Sequence, residues 1–298
     1  MADTMLKMKD VSKIYVLGNQ KNARKAQKAI HNLSKKYIRF TKKGNKTEAA
    51  KAEKFIAKAQ RLFTEEKYEQ SYQSITGRKI KPKSGKGSVV HALNGVSLEI
   101  KAGELVAIMG PSGSGKSTLL NMLGILDQPT SGQIHIDSSD VTATKGRNLP
   151  GLRSKKLGFV FQSFNLVPTL TALENVMLPL KYKGLHLRTR KKQARDALET
   201  VGLGDRLDHK PAELSGGQQQ RVAIARSIVS NPAIILADEL TGELDSKMTE
   251  EVMRLVLKLN KAGQTFIIVT HNPDVAKLCR RIIYMKDGRI EKETKNSR

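Results

Sequence analysis

An α/β protein with a mostly parallel sheet and helices on the sheet's faces is predicted by three observations. From residue 105 onward, short apolar runs alternate with helical stretches, the pattern of parallel strands joined by crossover helices. A glycine-rich loop follows the first of these runs directly. Two adjacent carboxylates end a later run, at the strand edge where open α/β sheets bind ligands.

The elements follow in chain order. LKMKDVSKIYV (6–16) alternates and is bounded by Gly18, which predicts a strand, and VVHALNGVSLEI (89–100) predicts a second. LVAIM (105–109), GKSTLLNMLGIL, QIHID and LGFVFQ come next, then a helical tract from 171 to about 230. AIILADE (233–239), a helix from 247, TFIIVTH and RRIIYMKDG complete the alternation. The tail EKETKNSR is polar and predicted to fray.

Residues 19–86 stand apart. They hold 20 Lys or Arg against 5 Glu and no Asp, within a chain of net charge +25. Ala23, Ala26, Ile30, Leu33, Tyr37 and Phe40 recur at helical spacing, and so do Ala49, Ala52, Ile56, Ala59 and Phe63. KKGNKT between them supplies a turn, with Thr47 as the expected N-cap. Residues 20 to about 72 are therefore predicted to form a basic antiparallel helical hairpin, and ITGRKIKPKSGKGS a flexible return linker. Such a block is an electrostatic footprint for polyanions, nucleic acid or anionic lipid. A Lys-rich solvated face without a partner is the plain alternative. The expectation is that residues 20–85 contact anionic lipid head groups or the cytoplasmic loop of a membrane partner.

One cysteine, Cys279, excludes an internal disulfide and a multi-cysteine metal site. It is expected as a partly buried thiol beside RRIIYM. No apolar run reaches the roughly 18 to 20 residues of a membrane-spanning helix. The opening MADTMLKMKDVSKIYV reads as a polar lead into a strand rather than a signal peptide. A peripheral position on the cytoplasmic face of the cell membrane is expected, with any pore supplied by another polypeptide.

Gly110, Pro111, Ser112, Gly113, Ser114, Gly115, Lys116 and Ser117 match G-x-x-x-x-G-K-S/T between a predicted strand and a predicted helix, with Thr118 next in that helix. Glycines let the backbone wrap so that N–H groups point at phosphate oxygens, and the helix N-terminus adds positive potential. In such loops the lysine, here Lys116, reaches the β and γ phosphates of ATP, and the hydroxyl, here Ser117, binds Mg²⁺. AIILADE delivers Asp238 to the sheet edge, where a carboxylate can join the Mg²⁺ shell. Glu239 is then placed to activate an attacking water.

LSGGQQQRVAIARS (214–227) resembles the signature segment of ABC ATPases and its helix. Ser215, Gly216, Gly217 and Gln218 open that helix with free N–H groups, a second anion site without a lysine. The resemblance implies the ABC type of P-loop NTPase, with an antiparallel β subdomain and an α-helical signature subdomain. It also implies a head-to-tail dimer in which each signature caps the ATP held by the other copy. By the same resemblance Tyr15 stacks on adenine, Gln162 touches Mg²⁺ or water, Asp245 lies at the dimer contact and His271 senses the γ phosphate. FVFQSFNLVPTLTALENVMLPL, VGLGDRLDHKPAELSGGQQQRVAIARS and GPSGSGKSTLLNMLGILDQPTSG are similar to the ATPases of lipoprotein-release and macrolide-export transporters.

The reading is a single ABC ATP-binding domain over 1–298, with the insertion at 19–86 and a helical subdomain at 163–230. Leu240, Glu243 and Asn272 depart from the usual proline, small or amide residue, and aspartate. Leu240 lifts the backbone restriction a proline would impose next to Glu239. The implied function is ATP hydrolysis that drives export or extraction of a membrane-associated lipoprotein, peptide or drug. The implied partners are a second ATPase subunit and a separate integral membrane permease of the FtsX-like type, with no nucleic acid among them. The alternative is a soluble ATPase of this type acting on RNA, ribosomes or DNA through the basic insertion. A single ATPase unit per chain and the segment after Gln162 favour transport.

Overall fold

The computed structural model describes residues 3–16, 21–65, 67–78, 88–144 and 146–296. Gly18 and residues 79–87 of the expected return linker lie outside this range. In chain order the first elements are β1 (Thr4–Val16), α1 (Lys21–Lys42), α2 (Lys46–Thr64), α3 (Tyr68–Thr76), β2 (Val89–Lys101) and β3 (Leu105–Met109). Then come α4 (Lys116–Leu123), β4 (Ser131–Ile136), β5 (Ser139–Asp140), α5 (Leu149–Lys156), β6 (Leu157–Val160), α6 (Ala172–Tyr182) and α7 (Leu187–Thr200). The last are α8 (Gly216–Ile228), β7 (Ile234–Asp238), α9 (Ser246–Lys261), β8 (Thr265–Val269), α10 (Pro273–Lys277), β9 (Arg281–Lys286) and β10 (Arg289–Lys295).

Two sheets result. The larger runs β10-β9-β3-β8-β7-β6 and is parallel except for β10. Its central strands LVAIM, IILAD and TFIIV are almost wholly apolar and buried almost without interruption, as a strand covered on both faces requires. The smaller sheet, β2-β1-β4-β5, is antiparallel. Apolar side chains of β1, β2 and β4 pack with α4 and one face of the larger sheet, while α6, α7, α8 and α9 cover the other face.

The polar tail does not fray over residues 291–296, and Ser297 and Arg298 lie outside the described residues. Residues 289–295 pair with β9 as an antiparallel strand. Asp287 (φ +48°) and Gly288 (φ +73°) form the two-residue turn, the Asp-Gly geometry whose twist suits a tight hairpin. Asn296 closes the end, donating to the carbonyls of Lys277 and Cys279 at 3.2 and 2.7 Å. Cys279 is wholly rather than partly buried.

Among the described residues the insertion contains three helices where a hairpin was predicted. Asn45 rather than Thr47 caps α2, its Oδ1 accepting from the Glu48 N–H at 3.2 Å; Asn ranks at least level with Thr as a cap. In α1 the buried positions after Ile30 are Ser34 and Ile38, while Leu33, Tyr37 and Phe40 are half-buried. A 3-4-3-4 spacing repeats every 3.5 residues and drifts around a helix of 3.6 per turn. Past Glu65 the chain folds back as α3. That brings Tyr68 edge-on to Phe63, with ring centroids 4.9 Å apart, and lets the Ser71 hydroxyl donate to Ala59 O at 2.8 Å. A straight continuation of α2 would carry Tyr68 and Tyr72 away from that core.

The core of the insertion is Ala23, Ala26, Ile30, Ala59 and Phe63, and it is shared with Ile14, Val16 and Val89 of the small sheet. Lys42 adds an ion pair to Asp140 of β5 at 2.9 Å. Phe63→Ala should cost about 3 kcal/mol. Amide hydrogen exchange should show protection falling in α1, α2 and α3 before the larger sheet; unchanged protection there would contradict this core.

Candidate functional site

The phosphate loop leaves β3 and enters α4 through three glycines at positive φ: Gly110 (+153°), Gly113 (+78°) and Gly115 (+96°). Two of them are also closely overlaid by backbone. A Cβ on Gly110 would lie 2.3 Å from Met285 O, and one on Gly115 would lie 2.5 Å from Ala92 O. The β9–β10 turn forms the floor, with the Gly288 N–H donating to Ser114 O at 3.0 Å and Gly288 O accepting from Asn94 N at 2.9 Å. Pro111, Ser112, Gly113 and Ser117 are exposed, and Thr118 is half-buried.

Lys116 folds back across its own loop, donating to Gly110 O at 2.7 Å and Pro111 O at 2.9 Å. The Ser114 hydroxyl is buried with no hydrogen-bond partner among the described residues. A loop of open backbone N–H groups with a lysine folded over it fits a polyphosphate.

Asp238 ends β7 opposite Val269 of β8. Burial, then the neighbouring Glu239 charge, raises its carboxyl above the ordinary aspartate value, and Lys116 opposes this. Glu239 turns off the strand at φ +49°, a conformation uncommon outside glycine. The turn is held by the Glu239 N–H donating to Val269 O at 2.9 Å. Its carboxylate meets His271 Nδ1 at 2.9 Å and also accepts from the His271 N–H and the Thr270 hydroxyl, each at 3.4 Å. The glutamate is largely covered, at 17% side-chain exposure, and the histidine open, at 75%. Leu240, in the position where the family usually has proline, is buried, and its carbonyl accepts from Gln220 Nε2 at 2.5 Å. A cleft of about 490 Å³ opens beside Glu239 and His271 and runs along α9 to Met253.

Gln162 lies exposed on the loop after β6, its side chain against Gly242, and the neighbouring Ser163 hydroxyl donates to Glu243 at 3.1 Å. Asn272 caps α10, accepting from Asp274 N at 2.8 Å, which an aspartate would do equally. Tyr15, at the end of β1, donates its hydroxyl to Asp127 at 3.0 Å. Burial and then Asp127 raise the Tyr15 pKa, so the phenol keeps its proton at neutral pH. Lys13 lies 4.9 Å over the Tyr15 ring and 2.7 Å from Asp127. Burial works against the Asp127 charge, yet Lys13, the Gln128 N–H and Tyr15 together hold its carboxyl below the ordinary value.

Ser215 caps α8 through a reciprocal pair, its hydroxyl accepting from Gln218 N and its N–H donating to Gln218 Oε1 at 2.9 Å. Gly216 packs beside Leu244 and Phe164, and Gly217 beside Met248. Asp245 caps α9, accepting from Met248 N at 2.8 Å. These signature residues thus adjoin α9 and the loop after β6, not the phosphate loop of their own chain. Arg226 of α8 donates to Phe164 O at 2.8 Å and Asn165 O at 2.6 Å, across two residues at φ +55° and +50°. Sequence reasoning missed Arg226, the Gly288 floor and the Lys13–Asp127 pair. Only the floor had a local signal, the dipeptide Asp287-Gly288.

Comparison with known proteins agrees with this geometry. The family profile described as ABC transporter matches residues 93–242. An uncharacterized ABC transporter ATP-binding protein of Thermotoga maritima is 54% identical over 202 residues, 68% of this chain and 86% of that protein. The macrolide export ATP-binding/permease protein MacB of Marinobacter nauticus is 52% identical over 211 residues, 70% of this chain and 33% of that longer protein. The solved dimeric structure of MJ0796, a bacterial ABC transporter cassette, superposes with a TM-score of 0.68 at 39% identity, covering 99% of this chain and 100% of that one. MJ0796 belongs to Methanocaldococcus jannaschii, and a second structure of it is a dimeric post-hydrolysis state bound to ADP and Pi. With its phosphate loop, strand-end carboxylates and signature helix in place, the chain belongs to the ABC transporter family, as an ATP-binding subunit that hydrolyses ATP.

Proposed function

We propose that this subunit works as a pair, two copies or a copy and a paralogue, on the cytoplasmic face of the membrane. There it drives export or extraction of a membrane-associated lipoprotein, peptide or drug through a separate permease of the FtsX-like type. The observation that carries the catalytic part is the Glu239 carboxylate, held by His271 and Thr270 one residue beyond Asp238.

In this reading Gly110 to Thr118 wrap the phosphates, with Lys116 leaving its carbonyl contacts for the β and γ oxygens. Tyr15 stacks on adenine, its ring backed by Lys13 and its hydroxyl fixed by Asp127. The donor set suits Mg²⁺: an exposed Ser117 hydroxyl, the exposed Gln162 amide and an Asp238 whose charge burial disfavours and a cation would stabilise. When bound, the metal supplies Lewis-acid neutralisation of phosphate charge. Glu239 accepts a proton from the attacking water at a carboxylate oxygen. His271 orients that carboxylate from Nδ1 and leaves its far edge open to solvent and phosphate.

The position of Ser215 to Gln218, away from their own phosphate loop, supports sharing of the ATP between two subunits. Asp245, already committed to its cap, is presented beside the same edge for the dimer contact. The dimeric form of MJ0796 supports this as well. The fusion of ATP-binding and permease parts in MacB-type relatives supports a membrane partner.

Glu239→Gln should retain ATP binding, lose phosphate release by at least about a hundredfold, and accumulate as an ATP-bound dimer on size-exclusion chromatography. Hydrolysis at the parent rate would remove Glu239 from this role. Gly288→Ala would place a Cβ 2.9 Å from Ala92 O at a φ of +73°. It should weaken ATP binding by about tenfold through the displaced loop floor, measured by titration with a fluorescent ATP analogue. Affinity purification from solubilised membranes should recover an integral membrane permease; recovery with ribosomes and no membrane protein would reject the transport reading for the soluble alternative.

A further inference from the structure

The nucleotide site and its partners leave the insertion unexplained. Helix α1 carries eight Lys or Arg residues and no carboxylate in its 22 positions. At 100° per residue Lys21, Arg24, Lys25, Lys28, Lys35, Lys36, Arg39 and Lys42 all fall within roughly 120° of its circumference, a stripe about 33 Å long. The opposite face is the one buried, through Ala23, Ala26, Ile30, Ser34 and Ile38. Lys42 is paired with Asp140. Lys25, Lys28, Lys35, Lys36 and Arg39 are exposed, and no carboxylate forms an ion pair with them among the described residues. Five like charges on one straight face repel one another, and an anionic surface lying against them relieves that repulsion.

Helix α2 adds an apolar element. Phe55 is 49% exposed, an unusual position for a phenylalanine in a helix with a buried face available. Exposed Lys51, Lys54 and Lys58 lie four residues before it, one before it and three after it, Lys51 being paired with Glu48 at 3.2 Å. A ring flanked by lysines suits the boundary between phosphate head groups and acyl chains. A single ring offers no series for base stacking, which single-stranded nucleic acid would require.

We propose that the basic insertion is a membrane-binding surface, with anionic phospholipid head groups on the α1 stripe and Phe55 entering the interface. The inference rests on the peripheral-membrane reading given above, but it concerns lipid and not the permease. Lipid contact here engages a helix that is already folded and packed, and it tethers the subunit independently of its membrane partner. Each cation within reach of an anionic leaflet strengthens binding by about fivefold.

The test uses the full chain and sedimentation with vesicles of about one-third phosphatidylglycerol in phosphatidylcholine, at about 0.1 M NaCl. The parent should bind these vesicles, fail to bind pure phosphatidylcholine, and release as salt rises. The variant with Lys25, Lys28, Lys35, Lys36 and Arg39 changed to Gln keeps helix propensity. It should lose at least about a hundredfold in vesicle affinity while hydrolysing ATP at the parent rate. Phe55→Gln should weaken binding with the charge intact. Equal binding by parent and five-fold variant, equal binding to neutral vesicles, or no vesicle binding where a duplex RNA probe is shifted would overturn the proposal. Because no permease is present, these outcomes are independent of the co-purification that tests the transport reading.

Discussion

The catalytic half of the molecule depends on one close approach of backbone to backbone. The β9–β10 turn lies directly beneath the phosphate loop, with Gly288 N–H bonded to Ser114 O and Met285 O in the space a Gly110 side chain would need. A loop rich in glycine has little intrinsic preference for one shape. Here its shape is imposed from below by the last hairpin of the chain, and from the side by Ala92 O against Gly115. The shape of residues 110–118 is therefore set in large part by Met285 and Gly288, far along the chain.

A second constraint acts at Glu239. The positive φ there turns the chain out of β7 so that Asp238 and Glu239 present to different parts of the edge. Such a conformation is destabilising by itself, and it is held by Val269 O, by the His271 and Thr270 donors, and by Gln220 gripping Leu240 O. Leucine in place of the family's usual proline removes a covalent restraint and puts a buried side chain there instead. The same edge is tied to α8 through Arg226 and the carbonyls of Phe164 and Asn165. The signature helix is thus hydrogen-bonded directly to the loop that carries Gln162.

What the sequence made legible was local: the phosphate loop between strand and helix, the apolar runs of the parallel sheet, the carboxylates after IILA and the serine that opens α8. Each is a pattern within about ten residues whose chemistry leaves few alternatives. The misreadings came from finer competition. Thr47 yielded the cap to Asn45 two residues earlier, and the stripe through Leu33 and Tyr37 drifted to Ser34 and Ile38. The tail was read by its polarity although Asp287-Gly288 announced a hairpin. Lys13 with Asp127, Gly288 with Ser114 and Arg226 with Phe164 were out of reach, since each joins segments that only the fold brings together.

The shared core under the insertion has an architectural consequence. Ile14 and Val16 flank Tyr15 on β1 and, with Val89 on the paired strand, belong to the same apolar cluster as Phe63. The added helices are thus grafted rather than appended: cutting them away would expose a hydrophobic seam on the strand that carries Tyr15. A chain lacking this module would have to cover those three positions in another way or leave a strip of apolar strand in water.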